Sequence, residues 1–308
     1  MPDTNSRPIK QVLEKEKITV LITDSGLGGI AICAEVAAAL SRCHHYREVS
    51  LIYFNAWPQQ DRGYNRLRDN RERIRVFDSA LNGMQQFEPD LILIACNTLS
   101  VLYPSTAFSR QTDIPVVDIV EFGVDLVGQA LLSSAEASVV ILGTVTTIES
   151  GVHRKRLHQD GIPTEKIVSQ PCDQLATSIE KGPASDEVQE MIGAFMKEAS
   201  KKIDSRSPHV YAALCCTHFA YCQELIRKAL SDLTGKSVTI LNPNQQMADF
   251  LVSRCRQRYS FTQMNIKVVS KIIWETQKIK AISGCIQPIS MATAKALKTY
   301  SHIPDLFD

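Results

Sequence analysis

The sequence of 308 residues is long enough for roughly two domains of ordinary size, each with its own buried core. It carries 34 basic and 33 acidic residues, so it has no net charge that would attract nucleic acid or an anionic membrane. No apolar run approaches the ~20 residues of a membrane-spanning helix, and residues 1–17 are too polar for a signal peptide. We therefore expect a cytoplasmic protein, with residues 1–17 as a flexible leader.

Apolar strands alternate with helices through the first half of the chain. The pattern predicts, in order, strand 18–23, helix 30–40, strand 49–54, helix 66–87 and strand 91–95. Glycines make a tight turn at 26–29, and an irregular loop covers 56–65. Five apolar residues without alternation at 91–95 indicate a strand buried on both faces, as in a parallel sheet.

The second half repeats this organisation. The pattern predicts strands at 115–119, 138–142, 167–169, 210–214 and 238–241, and helices at 148–159, 185–203 and 219–230. Two or three further helical or short strand segments follow up to residue 296. Alternation of strands and helices with right-handed crossovers predicts an α/β fold with open, mainly parallel sheets.

Two pairs of segments recur at an interval of 120 residues. Residues 91–100 and 210–220 are each an apolar run that ends at a cysteine and continues into a helix. Residues 21–26 and 141–146 are each an apolar strand that ends in a small, hydroxyl-rich turn. This spacing indicates two similar α/β halves that face each other and bring Cys96 and Cys216 toward one point.

The nine cysteines indicate reduced thiols rather than a disulfide framework. Their number is odd, the chain is large and no export signal is visible. Free cysteine is among the residue types most often buried, so we expect small core side chains at Cys33, Cys43, Cys255 and Cys285.

Polar side chains follow several of the predicted strands at the point where each strand ends. In open α/β sheets, ligands bind beyond these carboxyl ends, and the N–H groups of the following helix attract a carboxylate. The segments concerned are Asp24-Ser25, Cys96-Asn97-Thr98, residues 144–147 and Cys216-Thr217-His218. No phosphate-binding fingerprint accompanies them, because residues 26–29 lack the full glycine spacing and no Lys-Ser or Lys-Thr closes the turn.

Three interpretations of the two cysteines are open at this point. Buried structural thiols would leave the polar residues after each cysteine in need of other partners. A zinc site could use Cys215, Cys216, His218 and Cys222, although adjacent strand residues point to opposite faces and the usual two- to four-residue gap is missing. The third interpretation is an acid/base pair at Cys96 and Cys216.

An acid/base pair suits the movement of a proton between the two faces of a carbon beside a carboxylate. Such a reaction needs a base on one face and an acid on the other. A thiol can be either, because its reference pKa of about 8.5 is lowered by a helix N-terminus or a nearby cation. Asp24 and His218 are each expected beside one thiol as helpers, and His218 also fits a hydrogen-bonded histidine in the first turn of a helix.

With these motifs in view, the chain resembles the glutamate racemase branch of the aspartate/glutamate racemase superfamily over residues 18–297. Residues 24–29, 95–98 and 216–218 are similar to its opening motif and its two cysteine motifs. Further similar segments are Gly143-Thr144, Thr147, Ser150-Gly151, residues 179–182 and Asn242-Pro243.

The resemblance implies an isomerase that racemises an amino acid by proton transfer, without cofactor or metal. It also implies two pseudo-twofold-related α/β domains with an active site between them, which we assign to 18–116 with 242–308 and to 117–241. The implied partner is a small acidic amino acid, and a homodimer is the implied assembly.

The resemblance also assigns roles by motif position. Cys216 would deprotonate the L-isomer and Cys96 the D-isomer, each supplying the return proton for the other direction. Asp24 would assist Cys96, whereas Glu180 and His218 would assist Cys216. The residues that would hold the substrate's carboxylate and ammonium groups are Ser25, Asn97, Thr98, Thr147 and Thr217.

The loop at 55–65 departs from the family pattern, Asp-x-Ala-Arg-x-Pro-Tyr-Gly. Here it reads Asn-Ala-Trp-Pro-Gln-Gln-Asp-Arg-Gly-Tyr-Asn, and Val152 replaces a second family tyrosine. We expect Tyr64 to stand in for the loop tyrosine. Arg62 is either a bidentate partner of the substrate's side-chain carboxylate or an exposed loop arginine.

The expected activity is glutamate racemisation, which in the family supplies D-glutamate for peptidoglycan. The altered loop keeps two alternatives open. One is an aspartate or broader-specificity racemase of the same superfamily, and the other is a non-catalytic binding protein on the same fold.

Overall fold

A computed structural model describes residues 7–134, 136–253 and 255–308 of the chain. The chain separates into two compact units. We call the unit formed by residues 7–119 and Asn244–Asp308 the Cys96 unit, and the unit Val120–Pro243 the Cys216 unit. The Cys96 unit is therefore built from two stretches that are distant in sequence.

The strands of the described residues are β1 Lys17–Asp24, β2 Glu48–Asn55, β3 Leu91–Ile94, β4 Val116–Asp118, β5 Ser138–Gly143, β6 Ile167–Pro171, β7 His209–Cys215, β8 Ser237–Leu241, β9 Gln263–Ser270 and β10 Ser301–His302.

The helices of the same residues are α1 Arg7–Glu14, α2 Ile30–Cys43, α3 Asn70–Met84, α4 Asn97–Leu102, α5 Phe108–Gln111, α6 Ile119–Ser133, α7 Val145–Ser150, α8 Val152–Gln159, α9 Leu175–Lys181, α10 Asp186–Ser200, α11 Gln223–Thr234, α12 Pro243–Phe250, α13 Thr276–Ile286 and α14 Met291–Lys298. None of these helices has both the length and the apolar character that crossing a membrane requires.

The sheet of the Cys96 unit has six strands in the order β10-β9-β2-β1-β3-β4, and every neighbouring pair is parallel. Asp24, at the end of β1, pairs in register with Asn55 at the end of β2. On the other side, Thr23 pairs with Ile94, the last residue of β3. The register therefore places Asp24, Asn55 and the residues after Ile94 along one edge of the sheet.

The sheet of the Cys216 unit has four strands in the order β6-β5-β7-β8, again with parallel neighbours. Gly143, the last residue of β5, pairs with Cys215, the last residue of β7. The segments that follow these two strands, at Thr144 and Cys216, thus start side by side at the carboxyl edge of this sheet.

The 120-residue interval has a topological counterpart. The order β2-β1-β3-β4 in one sheet matches β6-β5-β7-β8 in the other. Cys96 follows β3 and Cys216 follows β7, which are equivalent positions in the two orders. The sequence prediction of an α/β fold with parallel sheets is confirmed.

Burial explains why the central strands are uniformly apolar. All four residues of β3 and all six of β5 are buried, as expected for strands covered by helices on both faces. Around β3 the core includes Phe54, Phe77 and Leu99. The cysteine side chains beyond the strands thus project from rigid, solvent-excluded elements.

Several predicted helices differ in their bounds for identifiable reasons. The helix predicted at 66–87 begins only at Asn70, because the Asp69 carboxylate accepts a hydrogen bond from the Glu72 N–H and caps it there. The helix predicted at 148–159 is two helices, α7 and α8, separated by Gly151 in the left-handed conformation at φ 66°. The helix predicted at 219–230 begins at Gln223, after a 3₁₀ segment over Thr217–Cys222.

The prediction of a flexible leader also needs correction. Residues 1–6 lie outside the described residues, but α1 forms within the remainder, and Ile9 and Val12 are buried. The prediction of two or three further segments after residue 243 missed β9, which adds to the first sheet by pairing with β2.

Candidate active site

The carboxyl end of β1 holds a buried carboxylate. Asp24 is 1% exposed, and its oxygens accept hydrogen bonds from the N–H groups of Gly26 at 3.0 Å and Gly29 at 2.7 Å. These two bonds wrap the turn before α2 around the carboxylate. The turn thereby fixes both the position and the orientation of Asp24.

The neighbouring strand holds the same turn in place. The Tyr53 hydroxyl and the Asn55 amide both donate to the carbonyl oxygen of Gly26, at 2.7 and 2.9 Å. The amide oxygen of Asn55 in turn accepts a hydrogen bond from the Ser270 hydroxyl on β9 at 3.0 Å. The turn is therefore braced from two further strands. Tyr53 and Ser270 belong to no segment that the sequence analysis singled out, and Asn55 is the first residue of the loop at 55–65.

Close packing at Gly29 gives a testable consequence. A Cβ atom at this position would lie 2.7 Å from an Asp24 oxygen and 2.9 Å from the Ala95 Cβ. We expect Gly29→Ala to lower the free energy of unfolding by about 1–3 kcal/mol, because Asp24 must move out of its bonded position. Urea unfolding measures this, with Gly193→Ala in α10 as the control.

The control position has open space around it. A Cβ atom added at Gly193 would meet no other atom within 4 Å, so alanine there is expected to be neutral or stabilising by about 0.5–1 kcal/mol. Equal stability of the Gly29→Ala and Gly193→Ala variants would contradict the close packing of Gly29 on Asp24.

Cys96 caps the start of α4 and is 6% exposed. Its sulfur lies 3.2 Å from the Ser25 hydroxyl oxygen. Burial and then the charge of Asp24 raise the pKa of Cys96, and the hydrogen bonds from Ser25 and Leu99 only partly offset this. Cys96 is thus held as a neutral thiol, which is the form of an acid. Asn97 and Thr98 are buried beside it in the first turn of α4.

Tyr64 lies in the same unit and packs near this thiol. Its ring is buried against Phe77, with centroids 6.4 Å apart, and its hydroxyl has no hydrogen-bond partner among the described residues. Burial raises the pKa of Tyr64, and its hydroxyl is therefore neutral. The backbone at Tyr64 is fixed by a 2.9 Å bond from the Arg73 guanidinium to its carbonyl oxygen.

Arg62 is paired with a carboxylate of the protein itself. Its guanidinium bonds to the Glu72 carboxylate at 3.3 and 3.5 Å and to the Arg66 carbonyl oxygen at 3.0 Å. The guanidinium N–H groups that could hold a substrate carboxylate are already bonded to Glu72 in α3 and to Arg66 after the loop. The structure therefore favours the loop arginine over the substrate-binding alternative.

In the Cys216 unit, three side chains form a buried chain of contacts. The Cys216 sulfur lies 3.7 Å from Nδ1 of His218, and Nε2 of His218 lies 2.9 Å from a carboxylate oxygen of Glu180. Glu180 comes from α9, and its side chain and that of His218 are each 6% exposed. The predicted helpers Glu180 and His218 are thus brought together on Cys216.

The protonation of His218 follows from these contacts. Burial alone would lower its pKa, but the hydrogen bonds and charges of Cys216 and Glu180 outweigh burial and raise it well above the ordinary value of 6.5. The ring therefore carries a proton on both nitrogens at neutral pH, donating one toward the Cys216 sulfur and the other to Glu180. A cation thus faces the Cys216 thiol, whereas an anion faces Cys96.

The remaining predicted binding residues lie at the ends of β5 and β7. Thr144 caps α7 by accepting from the Thr147 N–H at 3.3 Å, and the hydroxyl oxygens of Thr144 and Thr147 are 3.0 Å apart. Thr217 is buried immediately after Cys216. Both predicted substrate-binding residues of this unit, Thr147 and Thr217, lie at the carboxyl edge of its sheet, which also holds Cys216.

The ion pair predicts a pH dependence of stability. Glu180→Gln removes the carboxylate that helps to keep the proton on His218. Because the folded-state pKa of His218 lies well above 6.5, the stabilisation is fully present below about pH 6.5 and is lost as pH rises through the folded value. We expect the gap in unfolding free energy between wild type and Glu180→Gln to be largest near pH 6 and to narrow toward alkaline pH.

Urea unfolding from about pH 6 to about pH 9 measures this gap. Glu224→Gln serves as a control, because Glu224 is 70% exposed in its pair with Arg227 and should give a small, pH-independent difference. A gap for Glu180→Gln that stays constant over the range would contradict the assignment of a protonated His218.

The zinc alternative finds no support in the side-chain geometry. The Cys222 thiol donates to the Pro183 carbonyl oxygen at 3.2 Å, and Cys216 engages His218. Within residues 7–134, 136–253 and 255–308, no group of three or more His, Cys, Asp or Glu side chains is disposed to hold a metal ion.

Comparison with known proteins places these features in a family. The family model described as Asp/Glu/Hydantoin racemase matches residues 29–251, which is most of the chain. The chain belongs to the Asp/Glu/hydantoin racemase family. The resemblance identified from the cysteine motifs is confirmed at this level, and the protein is an isomerase of the amino-acid racemase class.

Individual members of the Asp/Glu/hydantoin racemase family are similar over most of their length. The glutamate racemase of Aquifex pyrophilus is 25% identical over 213 residues, covering 69% of this chain and 75% of that protein. The glutamate racemase structure from Campylobacter jejuni matches with a TM-score of 0.64 at 20% identity, covering 88% of this chain and 97% of that one.

A second structure, the Francisella tularensis glutamate racemase in complex with D-glutamate, matches with a TM-score of 0.63 at 19% identity, covering 88% of this chain and 94% of that one. The structural similarity supports the α/β fold. The family match includes Cys96 and Cys216 but begins after Asp24 and Ser25.

Proposed function

We propose that this protein is a glutamate racemase that interconverts L- and D-glutamate with Cys96 and Cys216 as its two acid/base groups. The observation that carries the proposal is that each cysteine ends a buried parallel strand beside its own ionisable helper. Cys96 lies next to Ser25 and Asp24, and Cys216 lies next to His218 and Glu180. The curated relatives and solved structures named glutamate racemase support the substrate.

The proposed reaction from the L-isomer begins at Cys216. Its thiolate, facing the His218 cation, takes the proton from Cα and becomes a thiol. Cys96, kept protonated by burial and by Asp24, gives its proton to the opposite face of the same carbon and becomes a thiolate. One proton leaves the carbon and one arrives, so the reaction is balanced without a redox partner or a cofactor. The reverse reaction exchanges the two roles.

The remaining roles follow from chemistry at the strand ends. Ser25, Asn97, Thr98, Thr147 and Thr217 are proposed to hold the α-carboxylate and ammonium groups. Tyr64 is proposed as a further binding residue, because a buried hydroxyl near Cys96 with no partner among the described residues is available to a polar substrate. Arg62 is left out of the proposed site, since Glu72 already holds its guanidinium.

A second candidate activity is racemisation of aspartate or of a broader set of amino acids. The loop at 55–65 favours keeping this candidate, because its order of residues differs from the family pattern. In this loop Gly63 packs directly on the Trp57 ring. The proposed biological setting is the cytoplasm, where D-glutamate supplies peptidoglycan synthesis, and the proposed assembly is a homodimer.

A panel of L-amino acids separates these candidates. The purified protein is incubated with L-glutamate, L-aspartate and neutral controls in deuterated water, and chiral chromatography follows the D-isomer. The proposal predicts that kcat/KM for glutamate exceeds that for every other substrate. A higher value for aspartate would replace glutamate with the second candidate, and measurable binding of acidic amino acids without Cα exchange would contradict both.

A further inference from the structure

A pair of thiols lies in the Cys96 unit apart from the proposed catalytic residues. The sequence predicted buried core residues at Cys43 and Cys255, but both are only half-buried. Their thiol groups hydrogen-bond to each other, although the two residues are far apart in sequence. The Cys43 sulfur also lies 3.4 Å from the Leu40 carbonyl oxygen and the Cys255 sulfur 3.2 Å from the Leu251 carbonyl oxygen, and each thiol has a single proton to give to one of its two partners.

Several hydrogen bonds hold the two chain segments together at this point. Nδ1 of His45 lies 2.9 Å from the Arg256 carbonyl oxygen and 3.1 Å from the Arg256 backbone nitrogen, and the ring tautomer decides which of the two bonds forms. The N–H groups of Arg258 and Tyr259 both donate to the His44 carbonyl oxygen at 3.0 Å. These hydrogen bonds join the chain segment after Cys43 to the chain segment after Cys255.

The backbone after Cys43 is also conformationally restricted. Cys43 is the last residue of α2, and His44 follows in the left-handed conformation with φ 48°. Few residues other than glycine adopt this conformation unless the surroundings fix it. The bonds from the Arg258 and Tyr259 N–H groups to the His44 carbonyl oxygen provide that fixation.

The local chemistry favours a reactive sulfur at Cys43. The hydrogen bond from Cys255, the N–H of His45 and the charges of His45 and His44 lower the pKa of Cys43 to about 6, against the opposing effect of burial. The same hydrogen bond and burial raise the pKa of Cys255. Nearby, His44 Nδ1 and the Tyr46 hydroxyl have no hydrogen-bond partner within the part of the chain that the structure describes.

We propose that Cys43 and Cys255 form a peroxide-sensitive modification site that closes reversibly into a disulfide. The Cys43 thiolate attacks one oxygen of a hydroperoxide, the O–O bond breaks, and the sulfur becomes a sulfenic acid as the other oxygen leaves as alkoxide or hydroxide. The Cys255 thiol then attacks this sulfur, forming the S–S bond and releasing water after proton transfer. The two cysteines are oxidised by two electrons, and the hydroperoxide is reduced.

Little rearrangement is needed for the second step. The two sulfur atoms interact directly, so side-chain rotation can bring them to the S–S length of about 2.05 Å. Because the pair is half-buried, a small hydroperoxide can reach it. Burial and the raised pKa of Cys96 leave this one of the two thiols proposed for catalysis less reactive toward the same oxidant.

Mass spectrometry of the wild-type protein tests the proposal directly. After treatment with hydrogen peroxide and alkylation of the remaining thiols, we expect a disulfide that links tryptic peptide 43–47 to peptide 255–256 and that dithiothreitol reverses. Without oxidant at neutral pH, iodoacetamide is expected to label Cys43 about tenfold faster or more than Cys285, whose pKa is raised by burial.

Variants assign the two steps to the two residues. Cys255→Ser is expected to stop at a sulfenic acid on Cys43 that dimedone traps, and Cys43→Ser is expected to give neither product. Cys285→Ser, at another half-buried cysteine, should behave as wild type. Peroxide-treated wild-type protein without the 43–255 link, or equal labelling of Cys43 and Cys285, would overturn the proposal whether or not the variants fold.

Discussion

Cys96→Ser and Cys216→Ser are each expected to lower glutamate racemisation by about 10³-fold or more while the protein stays folded. The serine hydroxyl occupies nearly the same volume but does not ionise near neutral pH, so it supplies neither the base nor the acid of the reaction. Both side chains are 6% exposed and pack among apolar residues, which accept the smaller oxygen without rearrangement. Chiral chromatography measures the rate, and circular dichroism checks the fold.

Cys215→Ser is the matched control for these two substitutions. Cys215 is as buried as Cys216 and adjacent to it, but its side chain points to the other face of β7. Its activity is expected to stay within a few-fold of wild type. Unchanged turnover in Cys96→Ser or in Cys216→Ser would contradict the two-thiol mechanism.

The second large effect is expected on stability. His218→Ala leaves the buried Glu180 carboxylate without its imidazolium partner, and we expect it to lower the free energy of unfolding by about 3–5 kcal/mol. Loss of the cation beside Cys216 is expected to lower kcat by about 10²-fold as well. Urea unfolding and steady-state kinetics measure the two effects separately.

A double variant separates the loss of stability caused by an unpaired buried carboxylate from the loss of activity caused by the missing cation. His218→Gln combined with Glu180→Gln replaces the buried ion pair by neutral amides, so it should regain most of the lost stability without regaining activity. Lys228→Ala, which breaks an exposed pair with Asp232, should cost less than about 1 kcal/mol. A His218→Ala protein as stable as Lys228→Ala would show that the buried pair is not formed.

The predictable part of this protein is local in sequence. Apolar runs identify the central strands, because residues of a parallel sheet are buried on both faces and need no alternation. The polar residues directly after those runs, such as Cys96 and Cys216, are also found this way. The strand orders of the two sheets repeat at the same interval of about 120 residues, although the sequence pattern alone did not give the order.

The part that could not be predicted depends on contacts between distant residues. Asn55 and Ser270 brace the Asp24 turn, yet they are 215 positions apart and no sequence pattern links them. The pairing of Arg62 with Glu72 depends on where α3 begins, which the amphipathic pattern placed four residues too early. Glycine at 151 ended a helix that hydrophobic periodicity alone continued.

The roles that we propose for the two thiols depend on local sequence motifs and also on contacts between distant residues. The motifs named Glu180 and His218 as helpers of Cys216, but only the fold of α9 against the segment after β7 explains the protonated ring. Likewise, burial and the Asp24 charge together keep Cys96 protonated, which suits the role of acid that we propose for it with the L-isomer. The two thiols therefore have neighbours of opposite charge: the Asp24 anion faces Cys96, and the His218 cation faces Cys216.

The most direct test of the two-thiol mechanism is deuterium incorporation during the first turnovers in deuterated water. Starting from L-glutamate, we predict that the D-glutamate formed carries deuterium at Cα, while the remaining L-glutamate stays protonated. The same pattern with the isomers exchanged is expected from D-glutamate. Early deuterium in the unreacted substrate at a rate equal to or above racemisation would indicate a single base serving both faces, and it would contradict the assignment of Cys96 and Cys216 to opposite faces.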